Sequence, residues 1–237
     1  MRKIGLIGGM SWVSTGMYYR WINRGVQRHA GPMASAPLLM ESLDFRPLVG
    51  LADESDWDRA GDILIESAKR LEGAGAGALV ICANSMHRLY DRVADAVDID
   101  ILHIADAVGE RMAAKGALNA ASLIGTRNVM TESFYRQRLV SHGIDLLPPD
   151  MAQVEEVDRI IYEELMVGEA KRSSQRFFRT MITRLEQTGA KAVISACTEL
   201  DMVIDVDANI LPIFDSARIH CEAAVDWIVD GSQAAKV

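Results

Sequence analysis

The chain repeats itself, and that repeat limits its fold more than any other feature. The segment RLEGAGAGALVICA, Arg70 to Ala83, aligns without gaps on RLEQTGAKAVISAC, Arg184 to Cys197. Arg70, Leu71, Glu72, Gly75, Ala76 and Ala78 recur as Arg184, Leu185, Glu186, Gly189, Ala190 and Ala192, and Leu79-Val80 is matched by Val193-Ile194. Shorter matches follow in the same order. Leu6-Ile7-Gly8 returns as Leu123-Ile124-Gly125, and Thr15, Tyr19 and Arg20 return as Thr131, Tyr135 and Arg136. ILHIADAV from Ile101 aligns with ILPIFDSA from Ile210. The repeating unit is about half the chain, too long for a solenoid repeat, so it reads as duplication of a whole domain.

Each half has the pattern strand, helix, longer helix, strand, helix. Lys3 to Ile7 and Ala121 to Ile124 are short apolar runs that end in glycine, as strands buried on both faces do. Ile63, Leu64, Ser67, Ala68 and Leu71 have helical spacing, as do Phe178, Met181, Ile182 and Leu185. Gly75 and Gly189 follow where a helix C-terminus favours a residue tolerant of positive φ. Ala78–Cys82 and Ala192–Ala196 are the next strands. The alternation predicts an α/β fold: two similar three-layer α/β/α domains with mainly parallel sheets, related by a pseudo-twofold axis, with the active site in the cleft between them. The expected boundaries are 1–103 plus 216–237 for the N-terminal domain and 104–215 for the C-terminal one. The last helix, Ser216 to about Gly231, is expected to pack back on the first half.

Composition narrows the function. With 237 residues the chain is long enough for two small domains, and its formal charge of −8 argues against a nucleic-acid partner. No apolar run is long enough to cross a bilayer and no secretory leader is evident, so no membrane partner and a cytoplasmic location are expected. Cys82, Cys197 and Cys221 form neither a disulfide framework nor a zinc pattern, and no metal is expected. Gly8-Gly9 lacks the spacing of a dinucleotide fingerprint, and no cofactor signal stands out. A homodimer is expected from the prevalence of twofold oligomers.

Open parallel sheets bind ligands at the carboxyl ends of their strands, which directs attention to two stretches. The first half offers Cys82-Ala83-Asn84-Ser85-Met86-His87 and the second Ala196-Cys197-Thr198-Glu199. Ala83 and Cys197 occupy equivalent positions in the repeat. Together with the strand-plus-turn start Gly8-Gly9-Met10-Ser11, these stretches resemble the aspartate/glutamate racemase superfamily over the full length. The resemblance is closest to the bacterial amino-acid racemase branch that lacks the first catalytic cysteine. It implies a cofactor-independent isomerase acting on a small amino-acid or dicarboxylate substrate. Cys197 would be the acid/base at Cα, with Glu199 either orienting or deprotonating it or capping the helix that follows. Met10, Arg46, Asn84, Ser85, Thr126 and Thr198 would hold the substrate.

The chemistry explains the pattern. Inverting Cα without a cofactor needs a base on one face and an acid on the other, and a thiol serves in either role. The carbanion also needs donors aimed at the carboxylate. The sequence departs from the family at two places. Ala83 stands at the first thiol position and carries no proton. Cys82 is one residue early and, in a strand, faces the other way. Met166 replaces a lysine that some members carry after Tyr162-Glu163, which leaves Arg46 as the candidate carboxylate clamp, with an exposed loop charge as the alternative reading of that residue. A single-thiol decarboxylase resembling arylmalonate decarboxylase, with Cys197 as the acid, is one alternative; a non-catalytic carboxylate binder is another. His103, matched to Pro212, is expected in the core, and so is Cys221.

Overall fold

The computed structural model describes residues 1–116, 120–205 and 209–233. The final stretch of the expected N-terminal domain, 234–237, lies outside them. By their contacts the residues form two compact units, one of Met1–His103 with the stretch from His220, the other of Ile104–Ile219. The change of unit falls inside the last helix, four residues beyond the expected Asp215–Ser216 boundary.

The first unit contains β1 (Ile4–Gly8), α1 (Trp12–Ala30), β2 (Leu38–Ser42), α2 (Glu54–Gly73), β3 (Ala78–Ile81), the short α3 (Tyr90–Ala94) and β4 (Asp100–Leu102). The second contains α4 (Ile104–Lys115), β5 (Ala120–Gly125), α5 (Arg127–Thr131), α6 (Ser133–Ser141), β6 (Asp145–Leu146), α7 (Met151–Glu163), α8 (Arg172–Gln187), β7 (Ala192–Ala196) and β8 (Ile213–Asp215). The helix α9 (Ser216–Gln233) follows and is shared by the two units. Each unit has a four-stranded, all-parallel sheet, in the orders β2-β1-β3-β4 and β6-β5-β7-β8. The duplication is thus visible as identical strand order in two α/β halves.

Side-chain alternation explains why both sheets are covered on both faces. In the first sheet Ile7, Leu79 and Ile81 join Trp57, Leu64 and Leu71 in one core. On the other parity, Ile4, Leu6, Ala78 and Val80 are buried along with Tyr18, Ile22 and Val26 of α1. In the second sheet Ile124 and Val193 pack with α7 and α8 residues such as Val157, Ile161 and Phe178. Ala121, Leu123, Ala192 and Ile194 pack on the opposite side with Val108, Tyr135 and Leu139.

Two of the short sequence matches are corrected by the structure. Leu79 pairs with Ile101 and its repeat partner Val193 pairs with Ile213. Ile101 is therefore the structural counterpart of Ile213, not Ile210, and His103 corresponds to Asp215 rather than Pro212. The ILHI and ILPI strings are alike because strand-to-helix corners favour the same apolar residues. Likewise the strand match Leu6–Leu123 carries Tyr18, not Tyr19, onto Tyr135. Tyr18 and Tyr135 are both fully buried, while Tyr19 is exposed. The edge strands β2, β4, β6 and β8 were missing from the expected element pattern. They are two to five residues long, and β2 is only partly buried, so they carry little hydrophobic signal. His103 is buried as expected, with its ring against His87 and Tyr90, and Cys221 is buried in α9.

Candidate active site

In the second unit the candidate residues gather past the ends of β5 and β7, which pair up to Gly125–Ala196. Cys197 follows β7 in extended conformation (φ −153°, ψ 129°) and opens a 3₁₀ turn over Thr198–Met202. It is 8% exposed. Its Sγ donates to Glu199 Oε2 at 3.1 Å. Burial pushes the thiol well above its ordinary pKa, and the negative charge and accepting oxygen of Glu199 push it the same way. The backbone N–H groups of Glu199 and Leu200 pull in the opposite direction. At rest the sulfur is therefore a protonated donor. Its acceptor is already in contact, and two N–H groups are positioned to favour the thiolate when it forms.

Thr198 is buried beside the thiol, and Thr126 follows β5 as the N-cap residue of α5. The Thr126 hydroxyl is buried and has no hydrogen-bond partner among the described residues. Sequence reasoning passed over Tyr162, which it used only to mark the missing lysine. Partial burial pushes this phenol up to about 12, and Asp158, Cys197 and Glu199 add to the shift, which puts Tyr162 within electrostatic reach of the thiol. Asp158 in turn accepts from Arg127 N at 2.7 Å. A tyrosine at the end of an amphipathic helix has no distinguishing pattern. Its spacing of four from Asp158, on one face of α7, is the only signal it leaves.

In the first unit the corresponding residues lie past β1, β2 and β3. Gly9 has φ +90°, and a Cβ there would lie 2.1 Å from the Leu43 carbonyl oxygen, so only glycine fits. Thr15 Oγ1 accepts from Gly9 N at 2.7 Å and donates to Ser11 O at 2.8 Å, closing the turn. Met10 and Ala83 both belong to the core on the α2 side of the sheet. Asn84 is buried, and Ser85, half-buried, starts a 3₁₀ turn. Cys82 is fully buried with its Sγ toward Val80 O at 3.9 Å, and burial raises its pKa. Arg46 differs from the others: its side chain is 90% exposed and paired with Asp44 through Nη2 and Nε at 2.5 and 2.9 Å. Among the described residues no group of three or more His, Cys, Asp or Glu is placed to hold a metal.

A family profile described as Asp/Glu/Hydantoin racemase matches residues 7–224. The curated broad specificity amino-acid racemase RacX of Bacillus subtilis (strain 168) is 22% identical over 222 residues, covering 85% of this chain and 96% of RacX. Among solved structures, a candidate Asp/Glu racemase from Yersinia pestis is 39% identical, with a TM-score of 0.90 over 97% of this chain and 100% of that one. An aspartate racemase homologue from Pyrococcus horikoshii OT3 is 32% identical, with a TM-score of 0.81 over 96% of this chain and 99% of that one. The chain therefore belongs to the Asp/Glu/hydantoin racemase family and is an isomerase of that kind.

Proposed function

We propose that the protein is a cofactor-independent racemase of acidic amino acids in which Cys197 carries the Cα proton. The observation that carries this reading is the Cys197–Glu199 contact at the end of β7, with its 3.1 Å hydrogen bond. Thiol and carboxylate exchange one proton without rearrangement. As the thiol gives its proton to a carbanion, the N–H groups of Glu199 and Leu200 stabilise the thiolate. In the reverse direction Glu199 relieves the thiol of its proton, and the thiolate abstracts from Cα. The unpartnered hydroxyl of Thr126, with Thr198, suits a substrate carboxylate. Aspartate and glutamate are the substrates suggested by the names of the relatives, and Arg46, held to Asp44 through Nε and Nη2, keeps Nη1 to meet a distal carboxylate.

Ala83 has no proton to give, so the enzyme is expected to be asymmetric, with one enantiomer exchanging its α-proton faster than the other. The test is α-proton exchange in D2O followed by NMR, run separately on L- and D-aspartate and L- and D-glutamate, with the native protein and Cys197→Ser. Exchange that the mutant loses supports the reading. If none of the four exchanges, the reading fails. In that case decarboxylation of a malonate-type acid dependent on Cys197 would assign the thiol as an acid only, a role its protonated resting state also suits. No helix among the described residues is long and apolar enough to cross a membrane. A homodimer is part of the proposal.

A further inference from the structure

The duplicated helices α2 and α8 carry opposite charges at equivalent positions, and the difference points to a ligand. The gapless repeat places Asp58, Gly61 and Asp62 of α2 in register with Arg172, Gln175 and Arg176 of α8. Burial agrees with this register, since Leu64 and its counterpart Phe178 are both fully buried. In the first unit this patch is an ion-pair clamp. Arg92 lies over Gly61, where a Cβ would meet its Nη1 at 2.6 Å. It binds Asp58 at 2.9 Å through Nη1 and Asp62 at 3.1 Å through Nη2. In the second unit the polarity is inverted. Arg172, Gln175, Arg176 and Arg179 line a concavity of about 390 Å³ on the exposed side of α8. Among the described residues the guanidinium groups of these three arginines make no ion pair or hydrogen bond. Arg46, Arg59, Arg70, Arg88, Arg92, Arg138 and Arg159, by contrast, all meet a carboxylate within 3.1 Å.

We propose that this face of α8 binds a small polyanion, a molecule carrying two or more phosphate or carboxylate groups, at the place where the first unit holds a guanidinium between two carboxylates. The spacing fits such a ligand. Arg172, Arg176 and Arg179 sit at i, i+4 and i+7, one face of a helix, and span about 10 Å along it at 1.5 Å per residue. Each guanidinium offers a planar fork that matches a phosphate or carboxylate edge. The chain as a whole is acidic, so a local cluster of three unpaired cations is a focused site rather than part of a general basic surface. The site does not involve Cys197, and the proposal is independent of the racemase reading.

The test is calorimetric titration of the full chain with inorganic tripolyphosphate and, in a second arm, citrate. It is run at two salt concentrations on the native protein, Arg176→Glu, Arg179→Glu and Arg176→Lys, with circular dichroism to verify folding. Saturable binding of either probe is expected, weakened tenfold or more by each glutamate substitution, less by Arg176→Lys, and weaker at high salt. The stronger arm identifies phosphate or carboxylate as the ligand group. No saturable binding of either probe, or binding that the folded glutamate variants retain in full, overturns the proposal. So does binding of a duplex oligonucleotide where neither small anion binds.

Discussion

At the scale of single residues, the behaviour of Cys197 follows from two neighbours and its burial. Glu199 raises the thiol pKa both as a charge and as an acceptor, so Glu199→Gln should lower it. The thiolate then forms at lower pH, and alkylation of Cys197 by iodoacetamide should rise at lower pH than in the native protein. An unchanged alkylation profile would mean that burial alone sets the pKa and that Glu199 is a bystander. His220 shows the same physics with the opposite sign of charge. Its Nε2–H donates to Leu102 O at 2.8 Å and its Nδ1 accepts from the Tyr18 hydroxyl at 3.0 Å, so the ring is neutral in the fold. Burial depresses its pKa to about 4, against about 6.5 in an unfolded chain. The unfolded state therefore takes up a proton first. The neutral ring's contribution is intact above pH ~6.5 and is lost progressively as pH falls toward 4, by up to about 3 kcal/mol. His87 and His103 are buried in the same cluster and Tyr18 caps it. His220→Gln, which keeps a donor and an acceptor without the titration, should flatten the fall of Tm between pH 6.5 and 4. A slope equal to that of the native protein would assign the acid sensitivity to other groups.

At the scale of elements, close approach explains a glycine that periodicity leaves unexplained. Gly25 lies on the buried face of α1, and a Cβ there would lie 2.4 Å from Val225 Cγ2 of α9. The two helices are in contact because one position has no side chain. Gly25→Ala should therefore cost about 1–3 kcal/mol through overpacking, despite alanine's better helix propensity. Val225→Ala in the same chain should return part of the loss. Urea denaturation of the two single variants and the double variant measures it, and strictly additive losses would refute the contact. This contact also marks how far the sequence could be read. The central strands were legible as short apolar runs because they are buried on both faces, and the long helices by the 3.6 period that one buried face imposes. The edge strands were not, because β6 has two residues and β2 shows solvent along one side. Two of the short matches failed for a related reason: a string such as Ile-Leu-x-Ile says that a segment is buried at a corner, not which residue faces which. Tyr19 and Tyr135 were paired by identity, yet one is exposed and the other buried. At the candidate site, the repeat and the resemblance coincide on the stretch that holds Cys197 and Glu199, which made those two residues stand out in the sequence. Tyr162 was not, because only the folded helix brings it into reach of the thiol.

At the scale of the whole chain, the duplication has kept a scaffold while the two copies diverged in charge and chemistry. Ala83 and Cys197 lie on the same parity of their strands and belong to the equivalent cores beside α2 and α8. His87 and His103 in the first unit stand where the second has Asp201 and Asp215, whose carboxyls burial raises. Asp58 and Asp62 stand where the second has Arg172 and Arg176. Both copies keep apolar packing even where the residue changes, as at Leu64 and Phe178, and these charge differences face solvent or lie at or past the strand ends. Under the proposed function, the difference between Ala83 and Cys197 is the one that bears on proton transfer. If Cys197 works alone, one face of Cα is served by a thiol and the other by a poorer proton carrier. Ala83→Cys adds a thiol at the position the duplication makes equivalent, at the cost of fitting one sulfur into a site that is now nearly closed. The slower enantiomer in D2O should then exchange its α-proton at least tenfold faster, with the faster one changed little. The gain should disappear in Ala83→Cys combined with Cys197→Ser. Acceleration of neither enantiomer by a folded Ala83→Cys protein would mean that the chain has re-formed its chemistry around a single thiol. The decarboxylase-like reading would then gain over the racemase.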